Sequence, residues 1–144
     1  MASEPQTFAN HVRYDPLFHF LLLPVALISF ILAVVQFVRF PGWGHGWLIV
    51  VAIAAMVAIL RIRNYSLRVQ DRIIRFEERL RLQSLLPEPL RSRIPEIAEG
   101  QLLALRFASD AELPALVERC LNEKLSRNDI KKAIVNWRAD YLRV

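Results

Sequence analysis

The stretch RIRNYSLRVQDRIIRFEERLRLQSLL, residues 61–86, decides the fold of this chain. No glycine or proline interrupts residues 47–86, so an apolar segment and the charged stretch after it are expected to form one continuous helix. At 100° per residue, Ile62, Tyr65, Val69, Ile73, Phe76 and Leu80 fall within an arc of about 80°. Arg61, Arg68, Arg72, Arg75 and Arg79 occupy a neighbouring arc of roughly 60° and extend about 27 Å along the axis. A helix with an apolar stripe and an adjoining cationic stripe has two surfaces to satisfy. The first is read as an association seam, and the second as a contact for anionic lipid headgroups or an acidic partner.

Working outward toward the N-terminus, residues 17–38 carry no formal charge. As a helix they cover about 33 Å, enough to cross a hydrocarbon core of about 30 Å. Asp15 and Pro16 suit the N-cap and first helical position of this span, and Pro24 is expected to kink it. The segment RFPGWGHG at 39–46 reads as a tight loop, and a second apolar run occupies at most 43–60. Trp43 and Trp47 are candidate interface anchors. Ser29 and Ala33, with Ala54 and Ala58, are small residues four apart that would let two spans approach closely. The short loop holds only Arg39, whereas Arg61, Arg63, Arg68 and Arg72 follow the second span. The positive-inside rule then places both termini in the cytoplasm.

Toward the C-terminus, Pro87 and Pro89 end the helix, and Pro95 allows one short turn before it. A helix is expected over 96–107. Ser109 to Glu112 has the form of a capping box, followed by an apolar face of Leu113, Leu116, Val117, Cys120, Leu121 and Leu125. A second box, Ser126 to Asp129, opens a helix that would place Ile130, Ala133, Ile134 and Trp137 on one face. Leu116, Cys120, Ile130, Ile134 and Trp137 are the candidate core of this small domain. About 55 residues is near the size at which independent folding becomes marginal, so support from the preceding helix or another chain is expected.

The full reading is an all-α chain. A cytoplasmic tail (1–15) precedes a two-helix transmembrane hairpin (16–60), an amphipathic cytoplasmic helix continuous with the second span (61–86) and a small helical domain (87–144).

Charge bears on function. The net charge is +5 over 144 residues, but residues 61–87 hold seven arginines against three acids, while 88–144 sum to only +1. A nucleic-acid-binding domain would carry its own basic excess, and this one does not. His11 in the tail and His19 at the cytoplasmic end of the first span are expected to lie about 30 Å of hydrocarbon away from His45 in the loop, so the three cannot share a site within one chain, and Cys120 sits on an apolar helix face. No phosphate-binding glycine loop, metal-spaced Cys/His cluster or nucleophile triad is present. No catalytic, cofactor-binding or metal-binding residue is therefore assigned, and no small-molecule substrate is evident. Gln36 and Ser29 are the polar groups well inside the first span, which leaves a homo-oligomeric channel as the alternative to a non-enzymatic scaffold, accessory or assembly subunit. Asp71–Arg75 and Glu77–Arg81 are possible i,i+4 pairs, so a merely solvated charged face also stays open. Whether the apolar stripe packs between chains, as in a homo-oligomer or larger membrane complex, or against its own C-terminal helices is equally open.

RYDPLFHFLLLP at 13–24, LRVQDRIIRFEERLRL at 67–82, LLALRFASDAELPALV at 102–117 and DIKKAIVNWRADYLRV at 129–144 together resemble a family of small two-span bacterial membrane proteins classified only as a domain of unknown function. The resemblance implies the two-span topology and a bacterial inner membrane, and it supplies no activity, cofactor or catalytic residue.

Overall fold

A computed structural model describes residues 7, 8, 10 and 14–140; His11 and the ends of the 1–15 and 129–144 segments lie outside the described residues. The described chain is helical, with no strand and one isolated antiparallel bridge between Ala108 and Trp137. Its described residues divide into two compact units, the first over 14–68 and the second including 69–140.

In the first unit, a π-helical turn Leu17–Leu22 leads into α1 (Leu23–Arg39). The Asp15 carboxylate accepts the Phe18 N–H at 3.2 Å, as an N-cap side chain does. Pro24 falls in the first turn of α1, and the Leu23 N–H reaches back five residues to the Phe18 carbonyl. The proline supplies no N–H and its ring crowds the carbonyl four residues earlier, and a widened turn accommodates both. The second helix, α2 (Trp43–Leu85), starts inside the segment read as a loop. Only residues 40–42 are non-helical, because Pro41 cannot continue α1, whereas Gly44 and Gly46 merely weaken a helix. A Cβ on Gly46 would lie 3.5 Å from the Phe37 ring, an ordinary van der Waals contact.

Leu17–Arg39 and Trp43–Leu85 are both long and apolar enough to cross a membrane. Of the four small residues only Ala33 is buried, while Ser29, Ala54 and Ala58 are exposed. The half-covered positions of α2 in this unit include Ile49, Ala52, Met56 and Ile59, a column on a different face from Ala54 and Ala58.

The second unit contains the C-terminal half of α2, a 3-10 turn Arg91–Glu96, α3 (Glu99–Leu105), α4 (Leu113–Glu123) and α5 (Arg127–Ala133). Its core joins Leu82 and Leu86 to Leu102, Leu105, Phe107, Leu113, Val117, Cys120 and Ile130. The unit boundary therefore falls within 61–86, since the last turns of the charged helix contribute two of the most deeply buried side chains.

Two helices are shorter than the sequence suggests. The expected helix over 96–107 is α3 alone, because Ile97 and Ala98 are extended; the Gln101 side-chain Oε1 then accepts the Ala98 N–H at 2.8 Å to start it. The last helix ends at Ala133, and Ile134 is extended. Ser109 N–H donates to Asn136 O and Arg138 N–H to Phe107 O, so residues 134–138 pair with the segment after α3 instead of completing a helical face. Ile134 is still buried, and Trp137 packs on Phe107 with ring centroids 5.1 Å apart. The Ser126–Asp129 box forms in both directions. In the 109–112 box, Glu112 accepts the Ser109 N–H as expected and also those of Val135 and Asn136, while the Ser109 hydroxyl is buried with no hydrogen-bond partner among the described residues.

Candidate association surface

The C-terminal half of α2 shows two different faces. Ile74, Glu78 and Leu82, each four residues from the next, are buried. Val69, Ile73, Phe76 and Leu80 lie on the opposite side of the helix and are at least half exposed. Ile62 and Tyr65 are exposed as well. The C-terminal helices thus pack against the face of α2 that carries Leu82, and the stripe read as a seam is left uncovered by the described residues.

The buried face holds one acidic group. Glu78 accepts a hydrogen bond from the Arg81 guanidinium at 3.0 Å, and Arg138 lies 3.8 Å from its other oxygen. Arg81 also donates to the Asp110 carboxylate at 2.5 Å and to the Ala108 carbonyl at 2.7 Å. Burial raises the Glu78 carboxyl above its ordinary value, and the nearby Arg81, Arg138 and Arg106 charges oppose that rise. This cluster ties α2 to the segment between α3 and α4. A polar residue inside the apolar column 74, 78, 82 was its only trace in the sequence, and the partners come from distant segments.

The cationic stripe is split by the fold. Arg75 forms an ion pair with Glu99 and also donates to the Asp71 backbone carbonyl at 3.1 Å. Arg61, Arg68, Arg72 and Arg79 are exposed. Neither suggested i,i+4 pair forms: Arg75 turns to Glu99, and Arg81 turns to Glu78 and Asp110. Burial decides this, since a partly desolvated guanidinium gains more from well-placed acceptors at the domain surface than from a solvated helical neighbour. Glu77 and Arg72 consequently have no side-chain partner among the described residues.

In the first unit Arg63 pairs with Asp15 at 3.2 Å, and its guanidinium lies 5.4 Å from the Phe18 ring centroid. Trp43 and Trp47 are exposed at the start of α2. Leu116, Cys120, Ile130 and Ile134 are buried in the second unit, and the Cys120 thiol is pushed up to about 11 by burial, which suits a packed side chain and opposes thiolate chemistry. His19 Nδ1 lies 2.8 Å from the Asp15 carbonyl oxygen, and His45 packs near Phe40. Among the described residues, no group of three or more His, Cys, Asp or Glu side chains could hold a metal ion.

These features define an all-helical protein with two helices able to cross a membrane and a small helical domain built on the end of the second. The chain belongs to DUF6526, a family of unknown function whose model matches residues 1–144. No curated protein and no solved structure matches it significantly.

Proposed function

We propose that this is a non-enzymatic integral protein of the bacterial inner membrane, with two spans in a hairpin and both termini in the cytoplasm. It acts as a scaffold, accessory or assembly subunit of a membrane complex through helix-mediated oligomerisation. The observation that carries the reading is the uncovered stripe of Val69, Ile73, Phe76 and Leu80 on a helix whose other face is already used. A row of large apolar side chains beyond the span calls for a protein partner. The membrane placement is supported by the exposure of most apolar side chains in Leu17–Arg39 and in the first turns of α2, surfaces that a bilayer would satisfy. Arg61, Arg68, Arg72 and Arg79 suit anionic headgroups near the span and an acidic partner farther along.

The orientation is tested with a cysteine at Gly44, where a Cβ meets nothing within 4 Å, and another at the exposed Glu123. In sealed cells an impermeant thiol reagent is expected to label the first and spare the second; the reverse pattern overturns the topology. Crosslinking in native membranes is expected to trap α2 with protein. Conductance in liposomes, with no trapped assembly beyond the pore itself, would replace the scaffold by a channel.

A further inference from the structure

Between Val69 and Gln83 the outward face of α2 follows a strict heptad. Val69, Ile73, Phe76, Leu80 and Gln83 are separated by 4, 3, 4 and 3 residues, the spacing of alternating d and a positions. All five are exposed. In that frame Arg72 and Arg79 take the g positions on one flank, and Gln70, Glu77 and Ser84 take the e positions on the other. The intrachain contacts of α2 leave all three of these flanking charges unused: Arg75 is held by Glu99, and Arg81 by Glu78 and Asp110, both off the flanks, while Arg72, Glu77 and Arg79 meet nothing among the described residues.

A parallel, in-register pair of such helices sets each g residue opposite the e residue five positions later on the other helix. Arg72 then faces Glu77 of the second copy, and two-fold symmetry makes the contact twice. An antiparallel pair would bring g against g and so confront Arg72 and Arg79 with the same arginines of the other copy. Charge therefore selects both the partner and its direction. We infer that the Val69–Leu80 face is a homotypic seam, covered by a second copy of this chain in parallel, with Arg72 of each copy paired to Glu77 of the other. The inference rests on the helix-mediated association proposed above and adds occupant, direction and register. Five a/d layers, about two heptads, are too short for a stable coiled coil in solution, but two copies held in one membrane meet at high effective concentration.

The test uses the full chain in nanodiscs or membrane vesicles. Arg72 and Glu77 are exposed, so reversing them leaves the domain core intact. Arg72→Glu alone and Glu77→Arg alone are each expected to weaken self-association by roughly five- to thirtyfold, since two attractive contacts become two repulsive ones. The double reversal Arg72→Glu/Glu77→Arg is expected to return to within about threefold of the parent. Ile73→Cys is expected to form an interchain disulfide under mild oxidation, whereas Arg68→Cys, off the seam, is not; the buried Cys120 stays silent. Single reversals without effect, or failure of the double reversal to restore association, overturn the homotypic seam. If assembly with other proteins persists in that case, the scaffold reading stands without it. A chain that is monomeric and unpartnered at every concentration overturns both.

Discussion

Ile73 and Ile74 are adjacent in sequence and differ nearly sixfold in exposure: Ile74 retains 9% of its accessible surface and Ile73 retains 52%. A rotation of 100° between successive residues of α2 separates the face that belongs to the helical domain from the face that does not. The same helix is therefore part of a core and the carrier of an unsatisfied surface, and substitutions on its two faces have different consequences.

Leu82 is fully buried among the domain helices. Leu82→Ala is expected to destabilise the second unit by about 2–5 kcal/mol, through lost transfer energy and the cavity left behind. Ile73→Ala should change its folding stability by no more than about 0.5 kcal/mol and act on assembly instead. Denaturant titration of the full chain in detergent, with amide exchange of α3–α5 as the local readout, distinguishes the two. Equal losses from both substitutions would show that Ile73 is part of the fold.

Glu78 supplies a pH-dependent term of defined sign. Its folded carboxyl lies above the ordinary value near 4.5, so the folded state holds the proton more tightly than the unfolded chain. Stability from this group is complete below that value and declines as pH rises through the folded pKa. Glu78→Gln removes the titration, and the stability of the variant relative to the parent is expected to increase with pH across that window. Unfolding midpoints measured from pH 4 to pH 8 report it; a difference that stays flat or falls with pH contradicts the assignment.

Lys124 ends α4 in the left-handed region, with φ 51° and ψ 46°, and its N–H bonds to the Cys120 carbonyl. A side chain at that backbone conformation costs about 1 kcal/mol or more, and glycine avoids it. Lys124→Gly is expected to stabilise the domain by about 0.5–1 kcal/mol after its larger unfolded-state entropy is counted, while Lys124→Val should destabilise it. Thermal unfolding of the two variants is the measurement, and a loss of stability with glycine would contradict the assigned helix end.

Much of this architecture was legible from local chemistry. Uncharged runs over 17–38 and 47–60 give two helices of spanning length, and the absence of any breaker from 47 to 86 carries the second directly into the charged stretch. The Ser126–Asp129 box starts α5 where expected, because capping is satisfied within four residues. The stripe from Val69 to Leu80 and its flanking arginines likewise follow from the 3.6-residue period alone. The period does not tell which column of α2 the domain would cover. Leu82 and Leu86 lie within a charged segment, and of the two arginines that meet Glu78, one is 60 residues away. The chain beyond Ala133 left the helix because Ser109 and Phe107 offered backbone partners to Asn136 and Arg138, a choice visible only once α3 and α5 had packed. Helix type and phase are set by neighbours a few residues apart, and the sequence carries them. Which face is buried, which arginine is neutralised and which is left for a partner depend on contacts between distant segments, and only the tertiary structure decides them.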